Sequence, residues 1–365
     1  MKNTFENITI KEEKAYFFSY EMDGLFEIDF FQQSCKYLTS YGISESGVHR
    51  LFSNVLIYCD WLVCIPMRAE YVMAFNKRTK EKIFVDIPKV GQTYKKDAKF
   101  LSAHIIGESL YMVGHAYPGV VKINLKTWTS ELVLDFVNVY TKEISEEKDL
   151  FRYSQLVDNK WIIMPSAFSN DLFVFDITTN YLEKKNIGKI ELGFSSVYVQ
   201  DDYFWLFPLY QNEILKWNYK TEECFRYYIS NENKKDDCSK MRFSNYIILD
   251  NYIVLIPMWD YNFVIIDKHT REIKEVEIDI IRKKQHTEIL PVRGCYIYDH
   301  QLYLVSGYDG GVYKLDVSDA KLYNMKKRLT VPRTSEISIK SMSCFYEEEK
   351  EYNLLDYIFD VNCFM

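Results

Sequence analysis

Short apolar runs separated by polar turns repeat along the chain, and residues 249–277 show the pattern most clearly. Two apolar segments are joined by a short aromatic turn and followed by an Asp-x-x-Thr turn and a polar segment. The apolar runs, such as 252–256 and 161–164, are hydrophobic at successive positions. A buried helix also gives such a run, but these are short, rich in β-branched and aromatic residues, and bounded by turn residues. The pattern therefore predicts strands of a sheet covered on both faces.

Seven copies of this segment are present, each with a small residue or proline near the end of its second apolar run. These anchor positions lie 43 to 51 residues apart: Ser19, Pro66, Gly114, Pro165, Pro208, Pro257 and Ser306. An acid or amide follows each anchor by ten residues, or by eleven in the fourth copy: Asp29, Asn76, Asn124, Asp176, Asn218, Asp267 and Asp316. Five of these have a Thr three positions on: Thr79, Thr127, Thr179, Thr221 and Thr270. Such side chains bond backbone groups just ahead of them, so a hairpin turn is predicted at each site.

A period in the forties with several strands per unit is typical of a β-propeller. We therefore predict an all-β fold, a seven-bladed β-propeller of four-stranded antiparallel blades, over residues 1–329. The first blade begins almost at Met1, and the others are predicted over residues 49–87, 100–136, 151–187, 194–229, 243–280 and 294–329. The charged connections between blades are expected to be solvated loops.

The strand ends repeat as well. Proline at the end of four second strands would remove a ladder hydrogen bond, so each second strand is expected to leave its sheet there. The first strands begin with an aromatic residue and a serine, as in Phe52-Ser53 and Phe243-Ser244. These serines either fit a crowded position and bond a neighbouring backbone group, or line a ligand funnel near the propeller axis.

Composition limits the partners and the compartment. The 365 residues are 48% hydrophobic, enough for one large core, and 45 Lys plus Arg against 52 Asp plus Glu argue against nucleic acid as a partner. The eight cysteines form no CxxC pair and no zinc spacing, which favours a reducing, cytoplasmic location. The N-terminus has no apolar signal-peptide core, and no apolar run reaches the ~20 residues that span a bilayer.

The turns between second and third strands contain the candidate binding residues. In a propeller these turns share one face with the connections between blades, so we expect their side chains to border a common opening. The candidates are Arg68, Glu70, Tyr117, Phe168, Tyr210, Trp259, Asp260, Tyr261, Tyr308 and Asp309. Aromatic residues beside acids and amides suit stacking on sugar rings or gripping a protein loop. The alternative is that the aromatics pack between blades.

Signals for catalysis are weaker. The six histidines show no metal-binding spacing, and no Gly-rich phosphate loop or GxSxG motif is present, so no metal or cofactor is predicted. His104 and His115 fall in neighbouring strands of one blade and form either a metal-binding or acid–base pair near the opening or ordinary structural contacts. The carboxylates Glu21, Asp23, Glu70, Asp260 and Asp309 would supply a general acid and base for glycosidase chemistry.

Residues 330–365 are predicted to form a separate extension. Residues 335–339 alternate like a strand, and 347–361 place apolar residues at helical spacing after three glutamates, which suit a helix start. This helix either packs on the propeller, where it helps to close the ring, or docks a protein partner.

The [DN]-x-x-T turns and the period resemble the broad superfamily of seven-bladed propellers that includes kelch-like and WD40-like proteins, and especially uncharacterised bacterial propellers with degenerate repeats. The chain lacks the paired glycines of kelch blades and the recurrent Trp-Asp ending of WD40 blades. The resemblance implies a rigid disc with a recognition face, and fold alone does not fix function.

Our first hypothesis is a non-catalytic binding or scaffold propeller for a glycan or a protein. The alternative is a carbohydrate-active hydrolase, lyase or epimerase with carboxylates or His104 and His115 at the opening.

Overall fold

The computed structural model describes residues 7–19, 23–29, 34–42, 50–90, 98–137, 149–187, 193–229, 241–258, 262–277, 292–306 and 311–328. These residues form seven four-stranded sheets, and in each sheet the strands follow one another in chain order. The strand pairs are antiparallel, as the registers of β2 with β3 and of β10 with β11 show. The predicted fold class, a seven-bladed β-propeller of four-stranded antiparallel blades, is confirmed.

The first four blades take up the N-terminal half of the chain. Blade 1 consists of β1 (Thr9–Lys11), β2 (Lys14–Phe18), β3 (Leu25–Asp29) and β4 (Ser34–Thr39). Blade 2 consists of β5 (Phe52–Tyr58), β6 (Trp61–Pro66), β7 (Tyr71–Asn76) and β8 (Lys82–Asp86). Blade 3 consists of β9 (Phe100–Ile106), β10 (Ser109–Gly114), β11 (Gly119–Asn124) and β12 (Thr129–Asp135). Blade 4 consists of β13 (Gln155–Val157), β14 (Trp161–Pro165), β15 (Asp171–Asp176) and β16 (Tyr181–Asn186).

Three further blades follow. Blade 5 consists of β17 (Phe194–Gln200), β18 (Tyr203–Pro208), β19 (Glu213–Asn218) and β20 (Cys224–Tyr228). Blade 6 consists of β21 (Phe243–Leu249), β22 (Tyr252–Pro257), β23 (Phe263–Asp267) and β24 (Ile273–Val276). Blade 7 consists of β25 (Val292–Tyr298), β26 (Gln301–Ser306), β27 (Gly311–Asp316) and β28 (Lys321–Arg328).

Six of the seven predicted Asp and Asn turns form by local hydrogen bonds, and the residues that follow Asp29 in the remaining turn lie outside the described residues. Asn76 Oδ1 accepts the backbone N–H groups of Arg78 and Thr79 at 2.9 and 3.0 Å. The equivalent bonds form at Asn124, Asn218, Asp267 and Asp316. Asp176 bonds the N–H and hydroxyl of Thr178 instead. The side chain therefore closes the hairpin locally, as the sequence pattern predicted.

The proline and serine positions also have the predicted structural roles. β6, β14, β18 and β22 each end at their proline. Opposite this point the first strand bulges, so that Ser53 and Ser195 are extra residues in the ladder. Their hydroxyls donate to the carbonyls of Ile65 and Phe207 at 3.4 and 3.3 Å. The structure therefore agrees with the first interpretation of these serines, in which each fits a crowded position and bonds a neighbouring backbone group.

The chain divides into two compact units, each with its own apolar packing. Unit 1 comprises Met1–Val85, Leu249–Tyr252 and Glu275–Met365. Within it, Phe17 of β2 packs toward blade 7, against Val305 and Val312, while its neighbour Phe18 packs toward Phe52 of blade 2. Successive side chains of one strand thus enter two different cores, which explains why the runs are apolar at every position.

Unit 2 comprises Asp86–Ile248 and Ile253–Lys274 and repeats this arrangement. Ile162 of blade 4 lies in the core shared with blade 3, and Ile163 lies in the core shared with blade 5. Trp205 of blade 5 in turn packs against Ile253 of blade 6.

The first and last blades contact each other through the apolar side chains of unit 1, and no strand from one end completes the sheet of the other in the described part of the chain.

The predicted extension over residues 330–365 lies outside the described residues. Where the chain is described, no helix is long and apolar enough to cross a bilayer.

Candidate functional site

Tyr117, a predicted surface aromatic, is fully buried in blade 3. Its ring packs 4.9 Å from the ring of Phe100, and its hydroxyl donates to the carbonyl of Pro88 at 2.9 Å. The expectation that Tyr117 is an exposed aromatic is therefore wrong. Tyr117 instead packs inside the protein, as in the alternative interpretation of the turn aromatics.

The other predicted aromatics differ in their surroundings. Phe168 is half-buried and packs against the core shared by blades 3 and 4. Tyr210 is also half-buried, and its carbonyl accepts a hydrogen bond from Arg242 Nε at 3.1 Å. Trp259, Asp260, Tyr261, Tyr308 and Asp309 lie outside the described residues.

Arg68 and Glu70 lie in a tightly held turn of blade 2. The carbonyl of Leu51 accepts the backbone N–H groups of Met67, Arg68 and Ala69 at 2.8 to 3.1 Å, so the turn wraps around a single oxygen. Arg68 is half-buried and Glu70 is exposed. The carboxylate of Glu70 is therefore presented to solvent on a fixed backbone.

Next to Glu70 lies a group of rings that we call the aromatic patch: Tyr41, Tyr71 and Phe84. Phe84 is 45% exposed and Tyr71 is 38% exposed. The Phe84 ring meets Tyr41 edge-on at 5.5 Å and Tyr71 edge-on at 6.3 Å. Edge-to-face contacts hold rings in a defined relative orientation, so the patch presents aromatic surface without large side-chain freedom.

Hydrogen bonds to Asp23 and Tyr71 hold Tyr41 in place. The carboxylate of Asp23 accepts the backbone N–H groups of Tyr41 and Gly42 at 2.6 and 2.8 Å. The Tyr41 hydroxyl accepts the N–H of Tyr71 at 3.3 Å, and burial raises the pKa of this hydroxyl, which keeps it protonated. Asp23 thus stabilises the patch, a structural contact that its proposed acid–base role did not include.

His104 belongs to a chain of hydroxyl groups between blades 3 and 4. Its Nε2 lies 2.8 Å from Ser154 Oγ, and Ser154 Oγ lies 2.8 Å from Ser102 Oγ. Desolvation lowers the pKa of His104 to about 4, because the charged ring would lose water without gaining an acid partner. At neutral pH the ring is uncharged.

His115 bonds a different set of partners. Its buried ring places Nδ1 2.7 Å from the carbonyl of Phe151 and Nε2 3.3 Å from Asp149 Oδ2. Both ring nitrogens are thus engaged inside the protein. Neither contact joins His115 to His104, and the described residues contain no group of three or more His, Cys, Asp or Glu side chains arranged to hold a metal ion.

A cavity of about 550 Å³ lies between blades 1 and 2, within unit 1. Its walls come from the β1–β2 turn, the β5–β6 turn and the β7–β8 turn, together with the strand side chains of Tyr16, Glu27 and Lys36. The described lining residues include five lysines and three carboxylates. No sequence pattern indicates this cavity, because each wall belongs to a turn whose sequence is that of an ordinary charged hairpin.

The fold is similar to that of several solved structures. Virginiamycin B lyase from Staphylococcus aureus, a catalytically inactive histidine-to-alanine variant with quinupristin, gives a TM-score of 0.61 at 11% identity, over 84% of this chain and 92% of that chain. BamB from Moraxella catarrhalis gives 0.54 at 14% identity, over 85% and 83%. A putative 6-phosphogluconolactonase from Bacteroides fragilis gives 0.57 at 9% identity, over 89% and 93%.

At such identities the likeness shows the fold alone, a seven-bladed propeller. No protein-family model and no curated protein sequence matches the chain. The similar structures bear names of lyases and a putative lactonase as well as BamB, so residue geometry has to support any function.

The aromatic patch is not among the binding residues predicted from the sequence. Those predicted residues lie in the turns between second and third strands, whereas Tyr71 begins β7 and Phe84 lies in the outer strand β8. One signal is present in the sequence: Phe84 shares a face of its outer strand with Lys82 and Asp86, two positions to either side, and on such a charged face an aromatic residue has no core to fill.

Proposed function

We propose that the chain is a non-catalytic binding propeller that recognises a glycan through the aromatic patch of Tyr41, Tyr71 and Phe84, with Glu70 beside it. The observation that supports this proposal is the pair of exposed rings in edge-to-face contact next to an exposed carboxylate. No other function has comparable support in the described surface.

The chemistry of the patch suits a sugar. The faces of a pyranose carry C–H groups that pack on aromatic rings, and its rim carries hydroxyl groups. The rings of Phe84 and Tyr71 supply the apolar surface, while the Glu70 carboxylate and the Tyr71 hydroxyl supply hydrogen-bond partners at the edge. Because Asp23 and the Leu51 carbonyl hold the surrounding backbone, little order has to be gained on binding.

The test is a thermal-shift screen with mono- and oligosaccharides, followed by titration calorimetry of any hit. Replacing Phe84 by Ala removes an exposed ring, and we expect the dissociation constant to rise at least ~10-fold, or about 1.4 kcal/mol. Tyr323→Ala is the matched control, because Tyr323 is also 45% exposed but lies on β28. Equal affinity in the two variants, or loss of binding in both, would contradict the proposal.

A second candidate, a carbohydrate-active enzyme, has one observation in its favour. The 2.8 Å contact of His104 Nε2 with Ser154 Oγ places a neutral imidazole beside a hydroxyl group. If this pair performs catalysis, Ser154→Ala and His104→Gln abolish sugar turnover while leaving binding at the patch intact. Turnover that persists in both variants excludes this pair.

Two further features of the proposal rest on the sequence. Trp259, Asp260, Tyr261, Tyr308 and Asp309 extend the recognition face on the strength of the aromatic turns between second and third strands, while the kelch-like and WD40-like resemblance rests on the [DN]-x-x-T turns and the repeat period. A cytoplasmic location follows from the cysteine usage, and Cys59, Cys64, Cys224 and Cys295 are free thiols.

A further inference from the structure

We propose that the cavity between blades 1 and 2 binds a small phosphorylated molecule, independently of the aromatic patch. Its described lining carries five lysines against three carboxylates, although the whole chain has a formal net charge of −7. A concave positive site on an acidic protein attracts and concentrates small anions. The volume of about 550 Å³ matches the usual range of small-molecule sites.

Three of the lysines are held in place by internal contacts. Lys14 Nζ bonds Glu27 Oε1 at 2.9 Å, and Lys77 Nζ lies 5.1 Å from the centre of the Tyr16 ring. Lys80 Nζ donates to the carbonyl of Lys77 at 2.7 Å. Ammonium groups fixed in this way have already lost much of their side-chain freedom, so an anion orders fewer side chains when it binds.

The turn backbone supports the same geometry. Asn76 Oδ1 closes the β7–β8 turn, and the carbonyl of Asn76 accepts the N–H of Lys80 at 2.9 Å. The carbonyl of Asp60 accepts the N–H of Lys77 at 2.8 Å and ties this turn to the β5–β6 turn. Two walls of the cavity are therefore joined by backbone bonds, so the positions of Lys77 and Lys80 are set together.

The charges in the cavity do not cancel. Glu27 is satisfied by Lys14, and among the described residues Lys11, Lys36, Lys77 and Lys80 have no carboxylate partner. Lys11 and Lys36 are exposed at the mouth. Lysine is a point-charge donor that suits the oxygens of a phosphate. The carboxylates of Glu12 and Asp60 remain as acceptors for hydroxyl groups on the rest of the ligand, which favours an organic phosphate over a bare ion.

The test is titration calorimetry of the full chain with glucose 6-phosphate, and with glucose and inorganic phosphate as comparison ligands. Potassium chloride of matched ionic strength is the salt control. We expect saturable binding of glucose 6-phosphate, weaker binding of inorganic phosphate and none of glucose at this site. Binding that matched chloride removes, or no binding of either phosphate, would overturn the proposal.

Charge-neutralising variants locate the site. Lys11→Gln combined with Lys36→Gln is expected to weaken phosphate binding at least tenfold. Glutamine is chosen because Lys36 lies opposite Glu27 in the β3–β4 register, where a second carboxylate would disturb the strand pair. Lys89→Gln combined with Lys321→Gln is the control, because both lysines are exposed and lie outside the lining, and the two substitutions remove the same charge. An equal loss in both proteins would show general charge attraction and contradict a site. Phe84→Ala should leave phosphate binding unchanged, which separates this proposal from glycan recognition.

Discussion

Blades 2 and 3 place their turn aromatics at different positions after the anchor, with opposite results. In blade 3 the third residue after Gly114 is Tyr117, which is buried, and the fifth is Gly119. In blade 2 the third residue after Pro66 is Ala69, which is also buried, and the fifth is Tyr71, which is exposed. The third position points into the protein in both blades, so the position of an aromatic residue within the turn decides whether it is core or surface.

Glycine makes the inward turn of blade 3 possible. A Cβ atom on Gly114 would lie 1.8 Å from the carbonyl oxygen of Tyr117, and one on Gly119 would lie 2.6 Å from that of Leu134. The backbone therefore approaches itself too closely for a side chain at either position. Blade 2 has Pro66 and Tyr71 at these two positions, and the Tyr71 side chain is exposed.

The largest expected effect on stability concerns Tyr117, the buried aromatic residue of blade 3. Tyr117→Ala should lower the free energy of unfolding by about 3–5 kcal/mol, because it leaves a cavity beside Phe100 and an unpaired carbonyl at Pro88. Denaturant unfolding measures this loss, with wild type as reference. A stability equal to that of wild type would show that Tyr117 is not packed as described.

A somewhat smaller effect concerns the first strand, where blade 3 has His104 and blade 2 has Leu56. Burial lowers the pKa of His104 to about 4, so the unfolded chain, with an ordinary pKa of 6.5, binds more protons between these values. Stability is therefore predicted to fall as the pH drops through this window, by up to about 3 kcal/mol, with the full penalty present below pH 4.

His104→Leu, which copies blade 2, isolates this contribution. Its unfolding free energy should lack that part of the pH dependence, and the difference from wild type, measured from pH 7 to pH 4, should grow as the pH falls. Parallel curves for the two proteins would mean that His104 titrates normally in the folded state.

These two positions illustrate what sequence reasoning achieves here. The seven-bladed fold followed from the anchor spacing and from turns such as that of Asn76, because local hydrogen bonds and two-sided burial leave direct traces in the pattern. Whether Tyr117 or Tyr71 is exposed depends on its place in the turn, third or fifth after the anchor, and no periodicity shows which of these places points into the protein. The contact joins His104 of β9 to Ser154, which lies just before β13 and 50 residues away, and no spacing rule connects such pairs.

A still smaller effect on stability distinguishes the contribution of the Tyr117 hydroxyl from that of its ring. Tyr117→Phe keeps the packing against Phe100 but leaves the carbonyl of Pro88 without its partner, so a loss of about 1–2 kcal/mol is expected. Denaturant unfolding of this variant beside Tyr117→Ala divides the cost between ring and hydroxyl. A loss as large as that of the alanine variant would contradict this division.

The smallest effect is expected in blade 2. Tyr71→Ala should lower the free energy of unfolding by about 1 kcal/mol or less, because the ring is partly exposed and loses chiefly its edge-to-face contact with Phe84. The same variant should weaken glycan binding, measured by calorimetry. Large destabilisation without loss of binding would assign Tyr71 to the core and remove the contrast with Tyr117.

The most direct measurement of the central proposal is a fluorine NMR titration of a protein that carries 4-fluorophenylalanine at position 84 alone. If the patch of Tyr41, Tyr71 and Phe84 binds the glycan, this resonance shifts on addition of the sugar and saturates at the dissociation constant measured by calorimetry. A resonance that stays in place while the sugar binds would contradict recognition at this surface.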